Sequence, residues 1–422
     1  MGAAPPPGPA GPRATTARAL ASQSTAFRRL VVAQVVSPLG DSLATVALVL
    51  HLQARGGTGT TIAALFFAEA IPPILSPLTG TIADRTRNTR ALLAACLGAQ
   101  AVLVAILAIW LPSLWPVVAI VLARATFDSV TSAALAASVP RVVDDADLPV
   151  ANATLGAARE IGYVVGPPVA GVLFAAAGAR PALVVDALTF VVAIALLASI
   201  PRRAADTAAS TGDIEPNPTF RADAVDGIRL LFRTPSLRAV AIGFWVAVFL
   251  AAPDDLVLPF LAVDELGAGP VGVGVLMGAA SFGLVVALPL VTRASRSFGL
   301  AGAIVAGAVV TAAGNGLTGA APVIGLAVLA QVVRGVGIPI HEAAVRTLVQ
   351  RSVPPAMLGR AFANLYGGVS VAAALGYLAG GPFLDATSPR VAFLVIGAGG
   401  LAGAALTWVL LRRVRPPAAR AG

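Results

Sequence analysis

What most constrains this chain is a series of apolar stretches of roughly 20 residues or more, almost all free of basic side chains. Short segments rich in Arg, Pro and Gly separate them. A helix rises about 1.5 Å per residue, so each stretch can cross the roughly 30 Å of hydrocarbon in a bilayer. None shows the alternation over about ten residues that marks a membrane barrel, and helices are the other way to satisfy a backbone in lipid. With 57% hydrophobic and 12% charged residues and a mean hydropathy of +0.87, the chain lies outside the range of soluble domains.

Twelve spans are predicted, beginning near Leu30, Thr60, Ala91, Trp115, Val150, Pro181, Leu237, Gly269, Leu300, Ala321, Ala361 and Val391. The seventh is the least regular, because Pro253-Asp254-Asp255 interrupts it. All 29 basic residues are Arg. Twenty-two fall on the side of the termini and three, Arg55, Arg180 and Arg390, on the other. Arg124, Arg159, Arg334 and Arg346 lie inside spans. The positive-inside rule then places both termini in the cytoplasm of a cell-membrane protein, and it accounts for a pI near 11.2 without nucleic acid. The single cysteine, Cys96, lies in an apolar segment and reads as a packing residue.

Residues 1–29, rich in Pro, Ala and Gly and ending in Arg28-Arg29, read as a disordered cytoplasmic tail, and 414–422 as a second tail. Residues 30–200 and 237–413 each hold six spans, and 201–236 is a polar linker. Val225, Ile228, Leu231 and Phe232 follow helical spacing beside Arg221, Arg229 and Arg233, which suits a helix on the inner membrane surface; a disordered linker is the other reading. An offset of 210 residues places Arg124 on Arg334, Arg141 on Arg351, Gly166 on Gly376 and Gly171 on Gly381. The two halves thus read as parallel repeats, and the fold class is all-α membrane protein.

Ionisable groups at membrane depth normally face a cavity or a partner. Asp41 lies about 17 Å along the first span, and Glu69 is equally central in the second. Arg124 and Asp128 are four apart on one helix face, so an ion pair within that helix is expected as readily as a role in transport. Arg334, Ile338, His341 and Glu342 form one stripe, and Arg346 stands four residues beyond Glu342. Arg159 and Glu160 point differently, one of them toward the fourth span. Asp186, Asp254 and Asp255 read as solvated groups near the outer face.

Two motifs follow. After the second span comes Gly80-Thr81-Ile82-Ala83-Asp84-Arg85-Thr86-Arg87-Asn88-Thr89-Arg90. It resembles the loop signature of the major facilitator superfamily at Gly80, Asp84, Arg85 and Arg90, with Arg87 where a second Gly is usual and Thr89 in place of a basic residue. In the fifth span, Gly162, Gly166, Pro167 and Gly171 resemble the superfamily's antiporter signature, with Ala170 replacing a Gly. The run from Ala151-Asn152-Ala153 to Gly171 is similar to the enterobactin-exporter and macrolide-efflux branch. In the fourth span, Phe127 and Asp128 stand where drug antiporters usually have Gln and Gly.

The resemblance implies the major facilitator fold, alternating access, Asp84 as a latch of the outward-open state, and export. Importing a small metabolite and a non-transporting receptor or scaffold are the alternatives. His341-Glu342 begins a metalloprotease-like run, but Val345 stands where the second His belongs, and without Lys no Walker loop can form. No enzyme activity, cofactor or metal is expected. The partners expected are a small amphiphilic molecule of drug or siderophore type, protons and membrane lipid, and the chain is expected to act as a monomer. Without a nucleotide site the energy must come from a gradient, and an acid near the midplane can load and release a proton. Asp41, in Gly40-Asp41-Ser42 after Pro38 and with no cationic neighbour in its own helix, fits best. Glu69, followed by Pro72-Pro73, is second, with a packing hydrogen bond to the first or eleventh span as its other reading.

Overall fold

The structure is a computed structural model that describes residues 24–74, 86, 88–111, 113–199, 228–354 and 357–413. The first half comprises α1 (Thr25–Ala54), α2 (Gly59–Ile74), α3 (Thr89–Trp110), α4 (Leu114–Ser138), α5 (Leu148–Ala177) and α6 (Ala179–Ala198). The second comprises α7 (Pro235–Ala251), α8 (Asp254–Phe260), α9 (Gly269–Ala320), α10 (Ile324–Ser352), α11 (Leu358–Ala386) and α12 (Pro389–Arg412). Ten helical segments among the described residues are long and apolar enough to cross a membrane, and α2 is a shorter apolar helix. The 52-residue α9 is broken at Gly299, whose φ of 67° is a left-handed value that glycine adopts at no steric cost.

Local chemistry sets the boundaries. Ser24 caps α1 by accepting from the Phe27 N–H at 3.2 Å, so helix begins at Thr25 and takes in Arg28 and Arg29, which the sequence reading had left in the tail. Asn88 and Ser388 cap α3 and α12 in the same way. Pro at the first turn suits α5, α7, α9 and α12, where its missing N–H costs no helical bond. Residues 200–227 of the expected linker lie outside the described residues. The chain is helical again at 228–233, with Leu231 buried and Ile228 and Phe232 exposed.

The seventh span differs from the reading in a way that matters. Pro253 does not end it near the surface: α7, α8 and a π-helical turn, Leu261–Glu265, form one apolar stretch, Pro235–Glu265, with a break at Ala252-Pro253. A break at membrane depth is tolerated where it lines a cavity or is packed in protein.

The halves meet along two helix pairs, α5 with α9 and α2 with α11. A Cβ at Gly171 of α5 would lie 2.5 Å from the Pro270 carbonyl oxygen, and α9 answers with Gly274 against Pro167 and Gly278 against Val164 and Pro168. Pro168 has no N–H to bond the Val164 carbonyl one turn earlier, and that carbonyl faces Gly278. Small residues let these backbones approach closely. Across the second seam Phe66 stacks on Tyr377 at 5.2 Å and Gly381 packs on Gly59, Thr60 and Ala63.

Candidate functional site

Arg124 of α4 is the centre of the first half. It donates to Asp41 of α1 at 2.5 Å and to Glu69 of α2 at 3.0 Å, and Thr45 also donates to Glu69 at 3.2 Å. The expected pair with Asp128 therefore gives way to bonds between helices. Side chains on a helix lean toward its N-terminus, so Arg124 leads away from a residue four positions ahead. The lack of a cationic neighbour beside Asp41 in the first helix did not leave it unpaired, because the cation comes from α4.

Arg334 of α10 repeats the device. Its Nε faces the fully buried Asp254 in an ion pair, and its Nη2 lies 3.8 Å from Asp255. Each half thus has an Arg on its fourth span holding an Asp on its first, as the repeat of Arg124 on Arg334 anticipated for the Arg residues alone. Asp254 and Asp186 are fully buried, which corrects their reading as solvated outer residues.

Both clusters face one cavity of about 400 Å³ between the halves. Its lining includes the acids Asp41, Glu69, Asp128, Glu160 and Asp255 against two cations, Arg124 and Arg334. Phe66, Tyr163, Pro167, Met277 and Ile338 provide apolar wall. Adjoining it in the second half is a cavity of about 250 Å³ lined by Phe244, Asn315, Tyr377 and the whole predicted stripe, Arg334, Ile338, His341 and Glu342. There His341 Nδ1 is 2.9 Å from the Ile304 carbonyl oxygen, and the Tyr366 hydroxyl donates to Glu342 at 3.0 Å. A third cavity of about 290 Å³ in the first half exposes Asp41, Asp128, Arg159 and Tyr163. Arg159 donates to the Tyr163 hydroxyl in its own helix at 3.3 Å and shares this cavity with Asp128 of α4.

Of the predicted residues, the structure therefore brings together Asp41, Glu69, Arg124, Asp128 and Arg334 at the central cavity and places Glu342 in the adjoining one. Gly162 and Gly166 pack on α1 near Leu39 and Ser42, while Pro167 and Gly171 meet α9. Arg90 lies in the first turn of α3, away from the cavity. Gly80, Asp84 and Arg85 lie outside the described residues.

Sequence reasoning missed Asp385. At the end of α11 it accepts from the Gly59 N–H at 2.5 Å, the Thr60 N–H at 3.0 Å and the Thr60 hydroxyl at 2.6 Å. A carboxylate on the first turn of a helix meets unpaired N–H groups and the positive end of the helix dipole. This carboxylate comes from the other half, so it ties the halves together on the face opposite the termini. Asp385→Ala should loosen that face: a cysteine placed at Thr60 is expected to react faster with an impermeant maleimide than in the parent, by roughly 5-fold or more for a tie of about 1 kcal/mol or above. An unchanged rate would mean that the contact does not hold the halves.

Two helical halves around a charged cavity at membrane depth define a multi-pass membrane transporter. The chain belongs to the major facilitator superfamily, whose family model matches residues 30–253 and 244–422. It is a transporter, not an enzyme. It is 21% identical over 390 residues to macrolide efflux protein A of Streptococcus pyogenes, covering 88% of this chain and 92% of that one. Among solved structures it is similar to the nucleoside transporter NupG, with a TM-score of 0.77 at 14% identity over 92% of this chain and 99% of that one. A bacterial homologue of the iron transporter ferroportin in its inward-facing state gives 0.66 at 15% identity over 92% and 98%. At these identities the structures speak for the fold alone.

Proposed function

We propose that the chain exports small amphiphilic molecules by alternating access, driven by inward movement of protons, with twelve membrane spans and both termini in the cytoplasm. The observation that carries this reading is the central cavity, where five carboxylates face two guanidinium groups beside an apolar wall. Such a lining attracts a cation or a proton, and the apolar wall accepts the body of an amphiphile. Similarity to a protein named for macrolide efflux supports the outward direction.

In this cycle Arg124 bridges Asp41 and Glu69, and a proton arriving at Asp41 releases the guanidinium. The helix pairs α5–α9 and α2–α11 carry the rocking of one half on the other. Asp84 latches the face of the termini, as Asp385 does the opposite face.

A panel of compounds that includes a macrolide tests the direction. Cells producing the chain should retain less of at least one compound than cells without it. Higher retention would make it an importer, and equal retention across the panel would favour a receptor or scaffold. Topology is checked with single cysteines in a Cys96→Ser background. Residue 206 is expected to label from the cytoplasm and residue 178 from outside, and labelling of both from one face would contradict the twelve-span map.

A further inference from the structure

Asp186 is a buried acid that the cycle above does not use. It lies in α6 about 10 Å from the start of that helix and is fully buried. The Thr189 hydroxyl donates to the Asp186 carbonyl at 2.7 Å and reaches Oδ1 at 3.3 Å, and Oδ2 has no hydrogen-bond partner. An ionised carboxylate has about four acceptor sites to satisfy, and one long contact at membrane depth leaves it costly. A neutral carboxylic acid suits this pocket.

The other half shows that the fold does not need the acid. Thr189 faces Gly40 of α1, and Thr407 of α12 faces Gly243 of α7 in the same manner, sixth span against first. Three residues before Thr407 stands Ala404, also buried, where the first half has Asp186. The carboxyl also lies beside Gly40, the neighbour of Asp41.

Of the elements packed on α6, α1 contributes Asp41; α3 carries Arg90 and Cys96, and α5 carries Arg159, Glu160 and Tyr163. Arg124 of α4 is bonded to Asp41, the residue next to Gly40.

We propose that Asp186 is a second proton-binding acid that shares Arg124 with Asp41, so that one proton sits on whichever of the two acids Arg124 does not hold. In the structure Arg124 holds Asp41, and in this scheme the proton then sits on Asp186. When a proton binds the Asp41 carboxylate, Arg124 is freed toward Asp186, which ionises and gives up its own proton, so the count of bound protons is kept. This rests on the reading of Asp41 as the coupling acid, but its test needs no substrate.

The test is infrared difference spectroscopy of the full chain in lipid at neutral pH, reading the carbonyl stretch of protonated carboxyl groups. The parent should show a band that disappears in Asp186→Asn and in Asp186→Ala, the latter matching Ala404 and guarding against a folding defect of the former. The same band should disappear in Asp41→Asn, where Arg124 keeps Glu69 but its Nη1 has lost Asp41 and turns to Asp186. A purely structural acid would keep its band in Asp41→Asn, and that persistence, or the lack of any band assignable to Asp186, would overturn the proposal. Coupling through Asp41 itself is judged separately by uphill transport, so failure of either claim is visible without the other.

Discussion

Arg124→Ala is expected to remove roughly 3 to 5 kcal/mol of stability and to stop transport. The guanidinium is buried and bonded to two carboxylates on two other helices, at 2.5 and 3.0 Å. Without it Asp41 and Glu69 are left at membrane depth without the cation that bridges them. The variant combining Arg124→Ala with Asp41→Asn and Glu69→Gln should recover much of the stability, because the charges left behind are gone, yet it should not transport. Unfolding of the purified chain in detergent, followed by the fluorescence of its four Trp, gives the comparison. A single-variant loss below about 1 kcal/mol, the range of solvated surface pairs, would show that the cluster is not the internal strut described.

Gly274→Leu should reduce transport by roughly tenfold or more while the protein still inserts, since overpacking of this kind costs about 1 to 3 kcal/mol. A side chain there would overlap the Pro167 carbonyl at the seam where α5 and α9 must slide. Gly98→Ala is the control, because a Cβ at Gly98 meets nothing within 4 Å. Transport by Gly274→Leu equal to that of Gly98→Ala would remove the close seam from the mechanism.

The span order was legible because hydropathy and Arg placement are one-dimensional signals, and helix starts fall within about five residues of their expected positions. Pairing is three-dimensional, and there the reading failed in understandable ways. Arg124 and Asp128 have the spacing of an ion pair but the wrong order for side chains that lean toward the N-terminus. Asp254 reads as a solvated outer residue beside an interruption of the span, whereas the helix resumes at Asp254 and Arg334 of α10 covers it. The repeat matched Arg124 to Arg334 but could not match Asp41 to Asp254, whose separation differs by three residues from the offset. Gly171 was legible as a packing glycine, whereas Pro270, which it meets, and Gly274 and Gly278, which meet Pro167, Pro168 and Val164 from α9, carried no motif of their own. Asp385 carried no signal at all, since only the approach of α11 to α2 gives it donors.

The central claim is that protons drive export through Asp41. It is tested most directly with purified protein in sealed vesicles under an imposed proton gradient, using a compound that the cellular panel shows to be moved. The parent should concentrate the compound against its own gradient, and Asp41→Asn should not, although downhill exchange partly survives. Full uphill transport by Asp41→Asn at the same proton gradient would contradict the account and move the coupling to Glu69.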